Sequence, residues 1–366
     1  QDNGYKVYIG SRADGIEYAA SQIINPTDHL IAAAIAAVKS LAQIPRAKTW
    51  TVLGEEVISE YVRRTALIAP NPGDLKIVYT AMHGVGTETA QRVFNHAGFA
   101  TLILVDEQCT PDPDFPTVAF PNPEEPGAID LALKKARDFG ADLVIANDPD
   151  ADRCAAAVND PKNGWRMLRG DELGIIFGEW IARSHTHGSF ANSIVSSSAL
   201  SKVAAHYALD FKEVLTGFKW ISKIEDLAFG YEEAIGYAVD SETVNDKDGI
   251  SAAITLAQIA TDLAADGKTV LDLLNEIWAR HGFHATEQIS IRLSDLSKVD
   301  VILGGLRSNP PLNIAGRAVT SIDDLAAPTD GLPPTDGLRI WLDGGVRIII
   351  RPSGTEAKMK CYIEVI

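Results

Sequence analysis

An apolar segment that ends in an acidic loop constrains the fold of this chain more than any other feature. Residues 141–146 are mostly apolar, and the loop that follows, residues 147–153, carries an aspartate at every second position. A short apolar run without regular polar alternation is typical of a strand that is buried on both faces of a parallel sheet. Residues 154–158 are apolar again and are expected to form the next strand. The pattern predicts an acidic loop at the carboxyl end of a buried strand.

The acidic loop presents three carboxylates, Asp148, Asp150 and Asp152, followed directly by Arg153. Released at a strand end and held by Pro149, these carboxylates can turn onto one small, hard cation. Oxygen donors that leave the coordination shell incomplete suit Mg²⁺, which keeps water or phosphate oxygens as its other ligands. Arg153 adds a fixed positive charge that can hold an anion through two hydrogen bonds.

Two other interpretations of the acidic loop stay open on the residues alone. One is a solvated turn, and the other is a metal-dependent phosphatase of the two-aspartate type with Asp148 as its nucleophile. A calcium-binding EF-hand does not fit. Its sixth position requires Gly where the chain has Arg153, and its twelfth requires Glu where the chain has Asn159.

Strand and helix patterns alternate along most of the chain, which favours an α/β class with parallel sheets. Near the start, Asp28 is expected to cap a helix whose apolar face begins at Ile31. Residues 193–197 are predicted to form a strand, and residues 249–280 a long helical region. The closing part of the chain is richer in strand patterns and is expected to be α+β. The predicted domains span residues 1–70, 71–160, 161–281 and 282–366.

Charge and cysteine content exclude several classes of protein. A formal net charge of −16 argues against a general nucleic-acid or anionic-membrane binder, because either needs a basic face. Cys109, Cys154 and Cys361 are far apart and indicate neither a disulfide framework nor a thiolate metal site. A reducing cytoplasm is the expected compartment. No apolar run reaches the roughly 18 residues of a membrane-spanning helix.

Two further loops carry groups suited to a phosphorylated sugar. In residues 216–221, a glycine allows close backbone approach and Lys219 is available to an anion. Residues 230–237 place two adjacent acids, Glu232 and Glu233, between glycines and apolar residues. Carboxylates accept hydrogen bonds strongly from neighbouring hydroxyl groups, so a sugar is a reasonable ligand. The alternatives are an ordinary turn and a helix start with acids at its positive end.

Lys247 lies between Asp246 and Asp248, just ahead of a predicted helix. This arrangement is either a solvated charge cluster or a proton-transfer lysine whose pKa is set by its neighbours.

Residues 351–358 concentrate donors for an anion after a predicted strand. Arg351 supplies a fork of donors, Ser353 and Thr355 supply hydroxyl groups, and Gly354 leaves backbone N–H groups free to face a phosphate. Lys358 closes the segment with another positive charge. A polar hairpin turn is the alternative interpretation, and the number of phosphate donors within eight residues weakens it.

In this order, the four loops at 148–153, 216–219, 230–236 and 351–358 resemble those of the α-D-phosphohexomutase superfamily, the phosphoglucomutases and phosphomannomutases. The Glu-Glu-Ala-Ile-Gly version of the sugar loop looks most like the phosphoglucomutase and phosphopentomutase-like branch. The resemblance covers essentially the whole chain. It implies a heart-shaped molecule with a central cleft, in which three similar α/β domains with mixed or parallel sheets precede a C-terminal α+β domain.

The resemblance also implies a function and a set of roles. The family interconverts sugar 1-phosphates and 6-phosphates, of glucose or mannose, through a phosphoserine and a sugar 1,6-bisphosphate that acts as activating intermediate. The implied roles are Mg²⁺ binding for Asp148, Asp150 and Asp152; catalysis for Arg153 and Lys247; and substrate binding for Lys219, Glu232, Glu233, Arg351, Ser353, Gly354, Thr355 and Lys358.

The chain departs from the family pattern at three places. Ala234 stands where the sugar loop usually has Ser, which removes one hydroxyl contact, and Ala357 replaces a usual Pro. The family's phosphoserine segment, Thr-Ala-Ser-His-Asn-Pro, belongs just upstream of residues 1–8 and does not occur in the chain. The 366-residue chain is therefore expected to be inactive as a mutase while it keeps most of the sugar-phosphate cleft. Turnover of glucose 1-phosphate by this chain alone would contradict that expectation.

Several questions stay open at this point. A phosphopentomutase of the same superfamily, the two-aspartate phosphatase and a non-catalytic sugar-phosphate-binding protein are the competing functions. The expected partner is a small sugar phosphate, with neither nucleic acid nor membrane involved, and the chain is expected to be a monomer or a dimer. The residues do not decide among glucose, mannose and pentose phosphates.

Overall fold

The computed structural model describes residues 6–10, 20–295, 297–353 and 358–366. Its α-helices are α1 (Thr27–Ala36), α2 (Glu55–Ala66), α3 (Gly86–Ala97), α4 (Asp130–Phe139), α5 (Gly170–Ala182), α6 (Ala199–His206), α7 (Phe218–Ile221), α8 (Gly249–Ala265), α9 (Val270–His281) and α10 (Ser297–Ser308). Its strands are β1 (Ile77–Thr80), β2 (Ile103–Leu104), β3 (Leu143–Asn147), β4 (Cys154–Asp160), β5 (Gly164–Met167), β6 (Ser189–Ser193), β7 (Asp210–Val214), β8 (Leu227–Glu232), β9 (Gly236–Ala238), β10 (Ala285–Arg292), β11 (Asn313–Ile314), β12 (Arg317–Asp324), β13 (Leu338–Leu342), β14 (Val346–Pro352) and β15 (Lys358–Val365).

The first sheet places the acidic loop. Its order is β2-β1-β3-β4-β5, with β1 parallel to β2 and β3, and β4 antiparallel to both β3 and β5. Every residue of β3 is buried, as the apolar run of its first four residues predicts, and its last residue, Asn147, is buried with its side-chain oxygen accepting from the Tyr79 hydroxyl at 2.7 Å. The predicted strand after the acidic loop is also present, as β4. The antiparallel pairing of β3 with β4 makes the loop a connection between two neighbouring strands.

The second sheet has the order β7-β6-β8-β9, with β6 parallel to β7 and β8, and β9 antiparallel to β8. The predicted strand at 193–197 is wrong, because the strand is β6 and residues 194–198 include a turn. The serines of this turn hydrogen-bond to other segments and do not pair with a neighbouring strand. Ser196, for example, accepts a hydrogen bond from the backbone N–H of Glu233.

The predicted long helical region is two helices, α8 and α9. Gly267 takes a left-handed conformation with φ of 68°, which ends α8 without the strain that a side chain would meet. Thr269 then caps α9, because its hydroxyl accepts from the backbone N–H of Asp272 while that side chain accepts from the N–H of Thr269. A glycine and a capping box explain the break that periodicity alone missed.

The third sheet is antiparallel, in the order β10-β15-β14-β13-β12-β11, with α10 packed against it. This confirms the α+β character expected for the closing part of the chain. A buried ion pair within this sheet, between Arg347 on β14 and Glu364 on β15 at 2.9 Å, also bonds to the turn after β6. Arg347 donates to the backbone carbonyl of Ile194 at 3.2 Å. Glu364 accepts hydrogen bonds from the hydroxyl of Ser197 and from the backbone N–H of Ser198.

The expected helix near the start is present, but its details differ. α1 begins at Thr27, so Asp28 lies in its first turn and is not the cap. None of the residues of α1 is buried, and Leu30 and Ile35 are mostly exposed. The spacing of the apolar residues predicted the helix, but it does not predict whether another part of the chain packs against the apolar face.

No helix among the described residues is both long enough and apolar enough to span a membrane.

Candidate functional site

The acidic loop leaves the carboxyl end of β3 and turns back sharply into β4. Ala151 takes the left-handed conformation with φ of 59°, and its N–H donates to the carbonyl of Asp148 at 2.9 Å. The carbonyl of Pro149 accepts from the N–H of Val85 at 2.9 Å, which fixes the loop to the start of α3. This turn places one carboxylate oxygen from each of Asp148, Asp150 and Asp152 within 4.8 Å of the others.

The three carboxylates differ in their electrostatic environment. Asp148 is only 8% exposed, and burial together with the charges of Asp152 and Asp150 raises its pKa to about 7. Burial acts in the same direction on Asp152, but Lys247 and Lys6 outweigh it and hold the pKa of that carboxyl below its usual value. The side chain of Asp150 is 64% exposed. The cluster combines one buried, crowded carboxyl, one whose pKa two lysines lower, and one that is exposed.

Two lysines meet at Asp152. The ammonium of Lys247 lies 2.9 Å from Asp152 Oδ2, and that of Lys6 lies 2.5 Å from the same oxygen. Lys247 also lies 5.5 Å from the ring centroid of Phe218 and 3.7 Å from a carboxylate oxygen of Asp246. The predicted catalytic lysine therefore contacts the acidic loop directly, a contact that the local Asp-Lys-Asp sequence did not reveal.

Backbone pairing joins the acidic loop to the sugar loop. Arg153 and Gly236 form an isolated antiparallel bridge, and the N–H of Cys154 donates to the carbonyl of Ile235 at 3.0 Å. The carboxylate of Glu232 accepts from the N–H of Gly217 at 2.6 Å, and its pKa is raised by burial. Loops from residues 147–153, 216–221 and 230–237 thus converge on one another.

A cavity of about 820 Å³ lies beside this convergence. Its walls include Arg153 from the acidic loop, Glu233 from the sugar loop, and Ser353 and Lys358 from the predicted phosphate segment. The carboxylate of Glu233 accepts from the hydroxyls of Ser193 at 3.2 Å and Ser196 at 3.3 Å, and burial followed by repulsion from Glu232 raises its pKa.

The other predicted site residues lie at different distances from the cavity. Arg153 lines the cavity and also contacts the acidic loop. Its Nε lies 3.7 Å from a carboxylate oxygen of Asp148 and 3.9 Å from one of Asp152. Lys219 lies in α7 and is not among the cavity walls. Arg351 lies on β14 directly opposite Lys360. Gly354 and Thr355 are outside the described residues.

The cavity walls also include charged residues that the sequence did not mark as site residues, among them Glu124, Arg292 and Lys360. Glu124 comes from a proline-rich loop, where the side chain of Asn122 accepts from the N–H of Glu124 at 3.1 Å. The residue is solvent-accessible in the cavity, yet the surrounding protein and the facing Glu233 raise the pKa of its carboxyl to about 7. Nothing local distinguishes these residues from surface charges, because only the folding of distant segments brings them to the cavity.

Comparison with known proteins is consistent with this geometry. The family descriptions "Phosphoglucomutase/phosphomannomutase, alpha/beta/alpha domain II" and "domain III" match residues 58–164 and 169–281. A "Probable phosphomannomutase" of Haemophilus influenzae is 44% identical over all of this chain and 74% of its own length. A mouse "Phosphopentomutase" is 32% identical over all of this chain and 65% of its own length.

Among solved structures, a phosphoglucomutase/phosphomannomutase family protein from Burkholderia thailandensis superposes with a TM-score of 0.64 at 19% identity, over 84% of this chain and 60% of that one. This match supports the fold alone. The extensive similarity to the Haemophilus influenzae protein and the two matched family descriptions confirm the resemblance drawn from the four loops. The chain therefore belongs to the phosphoglucomutase/phosphomannomutase family.

Proposed function

We propose that the whole protein is a phosphosugar mutase that moves a phosphate group between the two ends of glucose or mannose phosphate through a bisphosphorylated sugar. One observation carries the proposal: a single cavity has Arg153, Glu233, Ser353 and Lys358 on its walls. These residues come from the acidic loop, the sugar loop and the predicted phosphate segment. A sugar phosphate needs hydroxyl acceptors and anion donors in one place, and this cavity offers both.

The acidic loop fits Mg²⁺. Its three carboxylates offer oxygen ligands within 4.8 Å of one another. Burial and repulsion from the neighbouring aspartates raise the pKa of Asp148, and a bound cation would offset both by stabilising the ionised carboxylate. Magnesium bound there would neutralise charge on a phosphoryl group during transfer.

The chain's own groups take the remaining tasks. Arg153 would hold a phosphate oxygen near the carboxylates, while Glu232 and Glu233 would accept from sugar hydroxyls. Lys247 would exchange a proton with a sugar hydroxyl, with Asp152 holding its ammonium in place at 2.9 Å. Arg351, Ser353, Gly354, Thr355 and Lys358 would bind the phosphate that is not transferred, and Lys219 would assist at its margin.

The cavity favours a mutase over a two-aspartate phosphatase. A phosphatase of that type needs Asp148 free to attack phosphorus, whereas Asp148 accepts from the N–H of Arg153 at 3.0 Å and is buried. It would also leave Ser353 and Lys358 without a task. If Asp148 were the nucleophile, Asp148→Asn would abolish a phosphoenzyme; we expect this change to weaken Mg²⁺ binding instead.

Binding by the 366-residue chain tests the proposal. Isothermal titration calorimetry with Mg²⁺ present would compare glucose 1-phosphate, mannose 1-phosphate, ribose 1-phosphate and free glucose. We expect the hexose phosphates to bind and free glucose to fail. Arg153→Gln should weaken phosphate-ester binding about tenfold, since a charged hydrogen bond is lost. Arg137→Gln, which removes an equal charge at the exposed end of α4, is the control.

Two results would contradict this proposal. One is equal binding of glucose and glucose 1-phosphate, and the other is sugar-phosphate binding that is indifferent to Arg153. A clear preference for ribose 1-phosphate over both hexose phosphates would instead identify a phosphopentomutase, the name that the mouse relative carries.

A further inference from the structure

The proline-rich loop, residues 111–126, borders the cavity already described. Phe120, Asn122, Glu124 and Glu125 of this loop are among the cavity walls. The surrounding protein and then the charge of Glu233 raise the pKa of the Glu124 carboxyl to about 7, so the two side chains are close enough to interact. The proline-rich loop and the sugar loop therefore enclose the same part of the cavity.

Phe120 is the most exposed apolar residue of this cavity. It is 56% exposed, whereas the other apolar residues that the structure describes in the cavity walls are buried or half-buried. It also borders a second, smaller cavity of about 200 Å³ within residues 117–128. A single exposed phenylalanine is common on a protein surface, but this one lies in a cavity whose polar groups suit a sugar phosphate. Its ring is available to a ligand there.

Hydrogen bonds fix the proline-rich loop to the segment that holds the acidic loop. The hydroxyl of Thr117 accepts from Gln108 Nε2 at 2.9 Å and lies 2.8 Å from His83 Nε2, and both Gln108 and His83 are buried. Two residues after His83, the N–H of Val85 donates to the carbonyl of Pro149 at 2.9 Å. Residues 117–120 are thus held in place relative to the expected Mg²⁺ ligands.

A sugar phosphate presents two kinds of surface to such a cavity. Its phosphate and hydroxyl groups are polar and suit the charged residues of the cavity walls. The ring of a hexose also carries C–H groups, which pack well against an aromatic side chain because their slight positive charge meets the negative face of the aromatic ring. Phosphate alone has no such surface. A site that recognised only the phosphate would gain nothing from an exposed phenylalanine.

We propose that Phe120 is a specificity-determining residue of the sugar-phosphate cavity, and that its ring packs against the C–H groups of the bound hexose. The inference rests on the proposed function and adds to it a residue that recognises the sugar ring and not the phosphate. This contact removes apolar surface of both the protein and the sugar from water, which favours binding. The cavity then recognises the sugar through hydrogen bonds to its hydroxyls and through contact with its ring.

Two phosphate esters separate recognition of the sugar from recognition of the phosphate. Affinities of the 366-residue chain for glucose 1-phosphate and for glycerol 3-phosphate, an ester without a ring, are measured by calorimetry with Mg²⁺ present, and the affinity for Mg²⁺ is measured separately. The variants are Phe120→Ala, which removes the ring, and Phe120→Tyr, which keeps it. Phe139→Ala is the control, because Phe139 is 54% exposed and lies at the end of α4, outside the cavity walls.

We expect Phe120→Ala to bind glucose 1-phosphate about three- to tenfold more weakly than the wild type, because the contact with the sugar ring is lost. Its affinities for glycerol 3-phosphate and for Mg²⁺ should not change, since neither ligand contacts the ring of Phe120. Phe120→Tyr should bind glucose 1-phosphate as the wild type does, and the control should behave as the wild type with every ligand.

The outcomes separate this inference from the proposed function. Wild-type affinity of Phe120→Ala for glucose 1-phosphate overturns the inference and leaves the proposed function standing. The same holds if Phe120→Ala binds both esters or Mg²⁺ more weakly, since the change would then act through the position of the loop, or if Phe120→Tyr binds glucose 1-phosphate as weakly as Phe120→Ala. Failure of the wild type to bind glucose 1-phosphate refutes the proposed function and, with it, the inference.

Discussion

Gly84 lies so close to Pro149 that a β-carbon at position 84 would overlap the Pro149 backbone. This contact sets the distance between the start of α3 and the acidic loop. The N–H of Val85 donates to the Pro149 carbonyl at 2.9 Å and holds the two segments together. Glycine is therefore required here for close approach of two backbones.

Gly84→Ala should displace the acidic loop without unfolding the first sheet. We expect an overpacking cost of about 1–3 kcal/mol and a fall in Mg²⁺ affinity on the order of tenfold. Urea unfolding and Mg²⁺ calorimetry measure the two effects. Gly304→Ala is the matched control, because a β-carbon there meets nothing within 4 Å and alanine favours a helix interior. Unchanged Mg²⁺ affinity in Gly84→Ala would show that the loop does not depend on this contact.

Asp150→Asn should weaken Mg²⁺ binding with little effect on folding. The side chain is 64% exposed, and among the residues that the structure describes its ion pair is the distant contact with Lys6 at 4.0 Å. Removal of one negative ligand from three should lower Mg²⁺ affinity on the order of tenfold or more, while the free energy of unfolding without metal changes by less than about 0.5 kcal/mol. Calorimetry with Mg²⁺ checks this, with the exposed Asp300→Asn on α10 as control. Equal affinity in the variant would exclude Asp150 as a ligand.

Glu364→Gln should lower stability at neutral pH and not in strong acid. Burial opposes ionisation of Glu364, but His284, Arg347 and the hydrogen bonds of Ser197 and Ser198 lower its pKa from 4.5 to about 2. Because the folded-state pKa lies below the unfolded value, the stabilisation is complete above about pH 4.5 and is lost as pH falls toward 2. A shift of this size corresponds to about 3 kcal/mol.

Urea unfolding of the wild type and Glu364→Gln across pH 2–7 measures this difference directly. Glu287→Gln, which breaks an exposed ion pair with Arg169, should change stability by less than about 1 kcal/mol. A difference between Glu364→Gln and the wild type that persists unchanged at pH 2 would mean that the charge of Glu364 is not the source of the stabilisation.

Glu124 should make anion binding depend on pH. Its pKa is raised to about 7 by its surroundings and by Glu233, so it gains negative charge as pH rises from 6 to 8. The new charge lies in the same cavity as the anion donors, and we expect it to weaken glucose 1-phosphate binding. The ionisation of the ligand affects both proteins equally, so the ratio of wild-type affinity to Glu124→Gln affinity isolates the effect of Glu124. We expect this ratio to fall as pH rises from 6 to 8. A constant ratio would contradict the prediction.

The sequence determined the chemistry of the loops. The apolar run before the aspartates predicted a buried strand, and a turn at the end of that strand brings Asp148, Asp150 and Asp152 close together, so residues adjacent in sequence are sufficient for this cluster. The Arg-Pro-Ser-Gly-Thr sequence at 351–355 predicted a phosphate segment in the same way, from neighbouring residues. These features depend on strand direction and on residues within one or two turns of each other.

Which loops meet was decided only by the tertiary structure. The contact of Lys247 with Asp152 joins residues 95 positions apart, counted from their numbers, and depends on the packing of α8, which follows Lys247, against β3 and β4. The opposition of Arg292 and Lys358 depends on the register of two strands distant in sequence, which no short pattern encodes. Local propensity decides whether each segment becomes a helix, a strand or a turn. Long-range pairing and packing decide which charged groups share a cavity, and they form at a cost in chain entropy that local patterns do not report.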